Sequence, residues 1–168
     1  TLGWFDDPIL DTMLQQHSED TAGVIFHELA HQVLYVKGDT NFNEAYATFV
    51  ERAGTRDWLS YKNDTNRLND WEKRTLWRQN YYYMLQTARD ELAQLYAGPL
   101  SQEHRLQEKQ VIIEGLRQSL SAQQMPVPDP LNNARLAIVA TYEDGVERFQ
   151  ALFECHNSQW KPFHNAVK

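Results

Sequence analysis

Residues 27–31 read His-Glu-Leu-Ala-His, and Glu44 follows thirteen positions after His31, inside Asn43-Glu44-Ala45-Tyr46-Ala47. Histidines at i and i+4 share one face of a helix about one turn apart. Two neutral imidazoles and one carboxylate can hold a tetrahedral Zn²⁺ and leave its fourth position to water. Glu28 directly follows the first histidine and can reach that water as general base. The pattern therefore predicts metal-assisted hydrolysis, with His27, His31 and Glu44 as ligands and Zn²⁺ as cofactor. Glu51 lies two turns beyond Glu44 on the same face and is a candidate acceptor for the other ring nitrogen of a ligand histidine. Its alternative is a solvated surface carboxylate, and Asp39 and Asn43 are further candidates for the same task.

These side chains need helices to carry them. Thr21–Val36 is apolar, free of proline and helix-compatible. Ser18 is the predicted N-cap, Glu19 and Asp20 suit the first turn, and Lys37-Gly38 supplies a cationic last turn and a glycine cap. A second helix is expected from near Asn41, where Glu44 could equally close an Asn variant of the capping box on its own helix. The turn Gly38-Asp39-Thr40 is short, so the two helices fold back as an antiparallel hairpin. That hairpin can bring Glu44 to both histidines.

The remaining chain also reads as helix. Residues 42–61 continue the second helix, with Gly54 a weak point in its interior. Residues 66–97 carry Tyr81, Leu85, Ala88, Leu92 and Leu95 at 4-3-4-3 spacing, the seam of a helical pair. After the turn at Gly98-Pro99, residues 101–122 form the partner helix, with Leu106, Ile113 and Leu120 at heptad spacing. The outer faces of this antiparallel arm read as solvated. Three prolines within Met125–Pro130 stop the helix and force an extended connector. Further short helices are expected from Asn132 or Asn133, over 144–155 and over 158–167. The fold class is mainly α: an HExxH helix, a short helix hairpin and a long helical arm. Only Trp4–Phe5 or the proline connector suggest short extended pieces.

The segments Thr1-Leu-Gly-Trp-Phe-Asp-Asp-Pro8, Phe26–Gln32, Gly38–Glu51 and Asn132-Asn-Ala-Arg-Leu-Ala137 resemble the bacterial predicted aminopeptidase family. The resemblance covers most of the chain and is strongest over residues 1–60 and 131–142. More broadly, Asn-Glu-x-x-Ala after HExxH is similar to the gluzincin zinc metallopeptidases, in which that Glu is the third ligand. Only twelve residues separate His31 from Glu44, fewer than in thermolysin-like and large aminopeptidase gluzincins. The metal chemistry therefore transfers, and the substrate pockets of those enzymes do not. The resemblance implies a zincin-like peptidase acting on peptides. Tyr142 is then the candidate second donor to the oxyanion, because it lies beside the Asn-Asn-Ala-Arg segment that the family also shows; a core tyrosine is its alternative. Asn132, Asn133 and Arg135 are candidate contacts to the substrate backbone or termini, with helix capping the alternative for the asparagines. Residues 1–168 are read as one catalytic domain. The start at Thr1 suggests the C-terminal part of a longer protein, with any β-sheet in the missing N-terminal part. By resemblance that parent would be periplasmic or an outer-membrane lipoprotein.

Composition narrows the partners. A hydrophobic share of 42% and a charged share of 23% describe an ordinary globular chain. A net charge of −7 argues against nucleic acid, whose phosphates need basic patches. No stretch is apolar enough to span a membrane. Cys155 is the single cysteine, so no disulfide forms within the chain, and a buried thiol is expected. His17, His104, His156 and His164 match no ligand spacing, and Asn63-Asp64-Thr65 is read as an accidental glycosylation pattern. Three functions compete on sequence: a zinc aminopeptidase, a zinc hydrolase of a non-peptide amide such as a cell-wall component, and a catalytically silent helical binding module. The intact Glu28 argues against the last.

Overall fold

A computed structural model describes residues 17–139 and 145–168 of the chain. Seven helices lie within them: α1 (Ser18–Val33), α2 (Thr40–Tyr61), α3 (Thr65–Ala97), α4 (Gln102–Ala122), α5 (Asn133–Val139), α6 (Val146–Cys155) and α7 (Trp160–Val167). No strand occurs among the described residues. Trp4 and Phe5 fall outside them. The chain divides into two compact units, residues 1–72 with 141–168 and residues 73–140.

In the first unit α1 and α2 pack as the expected antiparallel hairpin. The contact is close because glycine sits where the backbones approach. A Cβ on Gly54 would meet the Phe26 ring at 3.2 Å, so the glycine that weakens the helix by propensity is the one that admits Phe26. Ala30, Ala45, Ala47 and Ala53 keep the seam narrow, and Tyr46, Phe49, Phe149, Phe153 and Phe163 fill the wider side. Phe49 touches the rings of Phe149, Phe153 and Phe163 at centroid distances of 6.5, 5.4 and 4.9 Å. Such aromatic contacts add to simple area burial. The eight-residue α7 is too short to persist alone. It is held by the fully buried Phe163, by Trp160 Nε1 donating to Asp57 Oδ2 at 2.8 Å, and by Tyr46 Oη with His164 Nδ1 at 2.7 Å.

Three local readings change in the structure. α1 ends at Val33 rather than Val36, and His17, not Ser18, occupies its N-cap with no side-chain bond. The early end has a tertiary cause. The buried Asn43 side chain accepts from Val36 N and donates to Val36 O, both at 2.8 Å, so residue 36 is paired across the hairpin and cannot continue the helix. Gly38 takes φ +86° in the turn that follows, open to a residue without Cβ. Cys155 is exposed: the buried face of α6 is set by Phe149 and Phe153, and residue 155 lies roughly 200° from Phe153 at 100° per residue.

In the second unit the seam of α3 is as predicted, with Leu85, Ala88 and Leu92 buried and Tyr81 and Leu95 packed beside them. On α4 the seam is Ile113, Leu116 and Leu120, whereas Leu106 is 56% exposed. Heptad spacing alone cannot tell where along the pair the cover ends. Met125, Leu131 and Leu136 close one side of this pair, so the proline-rich connector belongs to the core of the unit.

Candidate metal centre

The hairpin sets His27, His31 and Glu44 together, with one potential ligand atom from each within 4.8 Å of the others. His27 Nε2 lies 3.4 Å from Glu44 Oε2, and His31 Nε2 lies 3.7 Å from Glu44 Oε1. Both distances exceed an ordinary hydrogen bond. Bonds of about 2.0–2.1 Å in a tetrahedral site space their donors roughly 3.3–3.4 Å apart; the first distance equals that spacing and the second, to the other carboxylate oxygen, is slightly longer. The donor set of two imidazoles and a carboxylate suits zinc and related divalent ions. The residues present therefore fit such a metal.

Glu44 does not cap its helix. Asp39 is the N-cap of α2 and accepts from Phe42 N at 3.0 Å. That places Glu44 inside the helix, on the face turned to α1. Asp39 and Asn43 are thereby both engaged with backbone, as cap and as clamp, and neither bonds a histidine. Glu51 does: its Oε2 is 3.1 Å from His27 Nδ1. With Nδ1 carrying the proton toward Glu51, Nε2 presents its lone pair toward Glu44. His31 Nδ1 is buried and has no hydrogen-bond partner among the described residues.

The two rings stand edge to face, with centroids 4.9 Å apart and planes at 80°. Their proton affinities diverge. Burial alone would lower that of His27, but the Glu51 hydrogen bond and then the charges of Glu51, Glu44 and Glu28 raise its pKa above the ordinary value. Burial, followed by the neighbouring His27, holds His31 below it despite Glu44 and Glu28. Glu28 is thus close enough to act electrostatically on both rings, from a half-buried position on α1.

The other sequence candidates are placed as follows. Tyr142 lies outside the described residues. Asn132, Asn133 and Arg135 belong to the second unit. There Asn132 Oδ1 accepts from Arg135 N at 3.0 Å at the start of α5, and Asn133 Nδ2 donates to Tyr96 Oη at 2.9 Å. Capping is therefore a role Asn132 performs. Gly23 was not singled out by sequence, yet it borders the site. It is one turn before His27, and a Cβ there would meet Glu51 Cγ and Thr55 Oγ1, each at 3.3 Å. A glycine four residues before His27, on the same helix face, was the available signal.

No helix among the described residues is long and apolar enough to cross a membrane. No curated protein and no solved structure matches the chain. The family described as "Putative aminopeptidase" matches residues 1–168, and this chain belongs to that family.

Proposed function

We propose that the protein is a gluzincin-like zinc metallopeptidase, acting as an aminopeptidase on peptide substrates. The observation that supports this reading is the convergence of His27 Nε2, His31 Nε2 and the Glu44 carboxylate, at 3.4 and 3.7 Å, beyond hydrogen-bond length and near the spacing of donors around one ion. His27, His31 and Glu44 would hold Zn²⁺, which supplies a water of lowered pKa and polarises the scissile carbonyl. Glu51 fixes the tautomer and ring orientation of His27 through Nδ1. Glu28 is the general base: its carboxylate takes the proton of the attacking water and hands it to the leaving amine. A peptide amine is a poor leaving group until protonated, so a carboxylate able to shuttle one proton is what the chemistry demands. The aminopeptidase assignment is supported by the family to which the chain belongs. By their place in that family's Asn-Asn-Ala-Arg segment, Asn132, Asn133 and Arg135 remain proposed substrate contacts and Tyr142 the proposed oxyanion donor.

The test is zinc content and peptidase activity measured on the same preparations. Glu28→Gln is expected to keep one zinc per chain and lose activity by about 10²–10⁴-fold, the usual worth of a positioned proton carrier. Glu44→Ala is expected to lose the metal. Full zinc occupancy in Glu44→Ala, or undiminished activity in Glu28→Gln, would remove the respective assignment. Free-amine aminoacyl substrates compared with N-blocked peptides decide between exopeptidase and endopeptidase action.

A further inference from the structure

The first unit holds a cavity of about 440 Å³ between α1, α2 and α7, walled by the rings of Phe26, Trp58, Tyr61 and Trp160. That volume is in the range of small-ligand sites. It lies away from the Glu28 side of the metal centre: on α1, Phe26 projects about 100° to one side of His27 and Glu28 about 100° to the other. One carboxylate, Asp57, stands in the wall. Its Oδ2 accepts from Trp160 Nε1 at 2.8 Å, which leaves Oδ1 to a ligand. Among the described residues Asp57 has no cation as partner, and the preceding Arg56 is committed to Glu72 at 3.1 Å.

The walls are set before a ligand enters. Trp160 is fixed by its bond to Asp57 and by ring contacts to Phe153 and His164 at centroid distances of 4.7 and 5.6 Å. His164 also lines the cavity and is tied to Tyr46. Burial, then Lys168, holds its pKa below the ordinary value, so this wall is neutral at pH 7. Walls already in place reduce the ordering cost of binding.

We propose that this cavity binds a small organic cation with a quaternary ammonium head, of the choline type. Aromatic faces attract such a head through their quadrupoles, and its methyl groups carry no N–H that needs an acceptor. A primary ammonium brings three donors, and the wall offers it one free carboxylate oxygen. Asp57 supplies the countercharge that a neutral guest of the same shape would not use. Two cations stand near and limit the affinity. Lys62 Nζ is 5.7 Å from the centroid of the Trp58 ring, and the charge of Lys168 reaches His164. Neither lines the cavity. Lys62 competes for the Trp58 ring, so the proposal carries its own control at that position.

The experiment is calorimetric titration of the full chain with choline, with its neutral carbon isostere dimethylbutanol, and with ethanolamine, the primary amine. Choline is expected to bind about tenfold or more tighter than either. Asp57→Asn keeps an acceptor for Trp160 Nε1 and removes the charge; it is expected to weaken choline about fivefold or more and to leave dimethylbutanol unchanged. Trp58→Leu keeps an apolar wall without the quadrupole and is expected to weaken choline about tenfold. Tyr61→Ala, at a residue 83% exposed and so free of any role in folding, is expected to weaken it about threefold. Lys62→Gln is expected to tighten it. Each variant is expected to keep the circular dichroism of the parent chain. Choline binding no tighter than dimethylbutanol or ethanolamine overturns the proposal, as does choline affinity indifferent to both Asp57→Asn and Tyr61→Ala.

Discussion

Gly23 lies directly under Glu51: a Cβ placed on the glycine would come within 3.3 Å of Glu51 Cγ and 3.6 Å of Oε1. The same Glu51 side chain reaches His27 Nδ1, one turn further along α1. A side chain at 23 would therefore crowd the carboxylate where it lies across α1 to the imidazole. Gly23→Ala should separate two effects. Intrinsic helix propensity improves by about 1 kcal/mol, while Glu51 is pushed off His27. Loss of a partner to a ligand histidine typically costs 10–100-fold in metal affinity. Zinc affinity by competition with a chromophoric chelator is expected to fall about tenfold or more, with helix content unchanged. Undiminished affinity would mean that Glu51 adapts, and that the glycine serves helix approach alone.

Asn43 offers a second test of how the hairpin holds Glu44. Its amide makes both bonds to Val36 backbone and is 2% exposed. Asn43→Ala removes the clamp beside Glu44, at an expected cost of about 1–3 kcal/mol. Asn43→Asp keeps the acceptor but loses the donor to Val36 O and buries a charge, so it is expected to be at least as damaging. Denaturant midpoints of the two variants decide. If Asn43→Asp proves milder than Asn43→Ala, the bond to Val36 O contributes little.

Sequence periodicity exposed whatever is local in origin. His27 and His31 share a face because a helix repeats every 3.6 residues, and Glu44 reaches them because a short turn forces a hairpin. The α3 seam was legible for the same reason. The α1 end, the exposure of Cys155 and the α4 seam depended on tertiary partners. The Asn43 clamp ties α2 to the loop before it, the Gly54–Phe26 approach joins two helices, and Tyr46 pairs with a histidine 118 positions away. No spacing rule encodes such pairs. The identity of the α2 cap was misread for a subtler cause. Asp39 and Asn41 are both competent caps, and the Asp39 carboxylate reaches Phe42 N and so starts the helix two residues earlier.

Zinc should stabilise the fold as well as arm it. The three donors come from two helices, so an unfolded chain presents no equivalent site. An ion at about a hundred times its dissociation constant adds roughly 2.7 kcal/mol to a native state that alone binds it. For a chain of this size that corresponds to a rise of about 5–10 °C in Tm. Thermal scans with chelator and with added zinc are expected to differ by that order, and Glu44→Ala is expected to show no difference. A zinc-independent Tm in the parent chain would argue against a site shared between the two helices.

The Tyr46–His164 pair gives the attachment of α7 a dependence on pH at both ends. Burial, then Lys168, holds the His164 pKa below its ordinary value of 6.5. The folded state thus prefers the neutral ring, whose Nδ1 is 2.7 Å from the tyrosine hydroxyl. Between the two pKa values the unfolded chain binds more protons, so stability falls as pH drops below about 6.5 and levels off beneath the folded value. Tyr46 behaves oppositely. Burial pushes its pKa up from 10.0 to about 12, so its contribution is complete below pH 10 and is lost as pH rises toward 12. In a background with the other four tryptophans replaced by Phe, the fluorescence of Trp160, stacked on His164 with centroids 5.6 Å apart, is the local reporter. Unfolding followed at Trp160 is expected to show both losses. His164→Gln is expected to abolish the acidic one and Tyr46→Phe the alkaline one. An acid limb that persists in His164→Gln would assign it to another group.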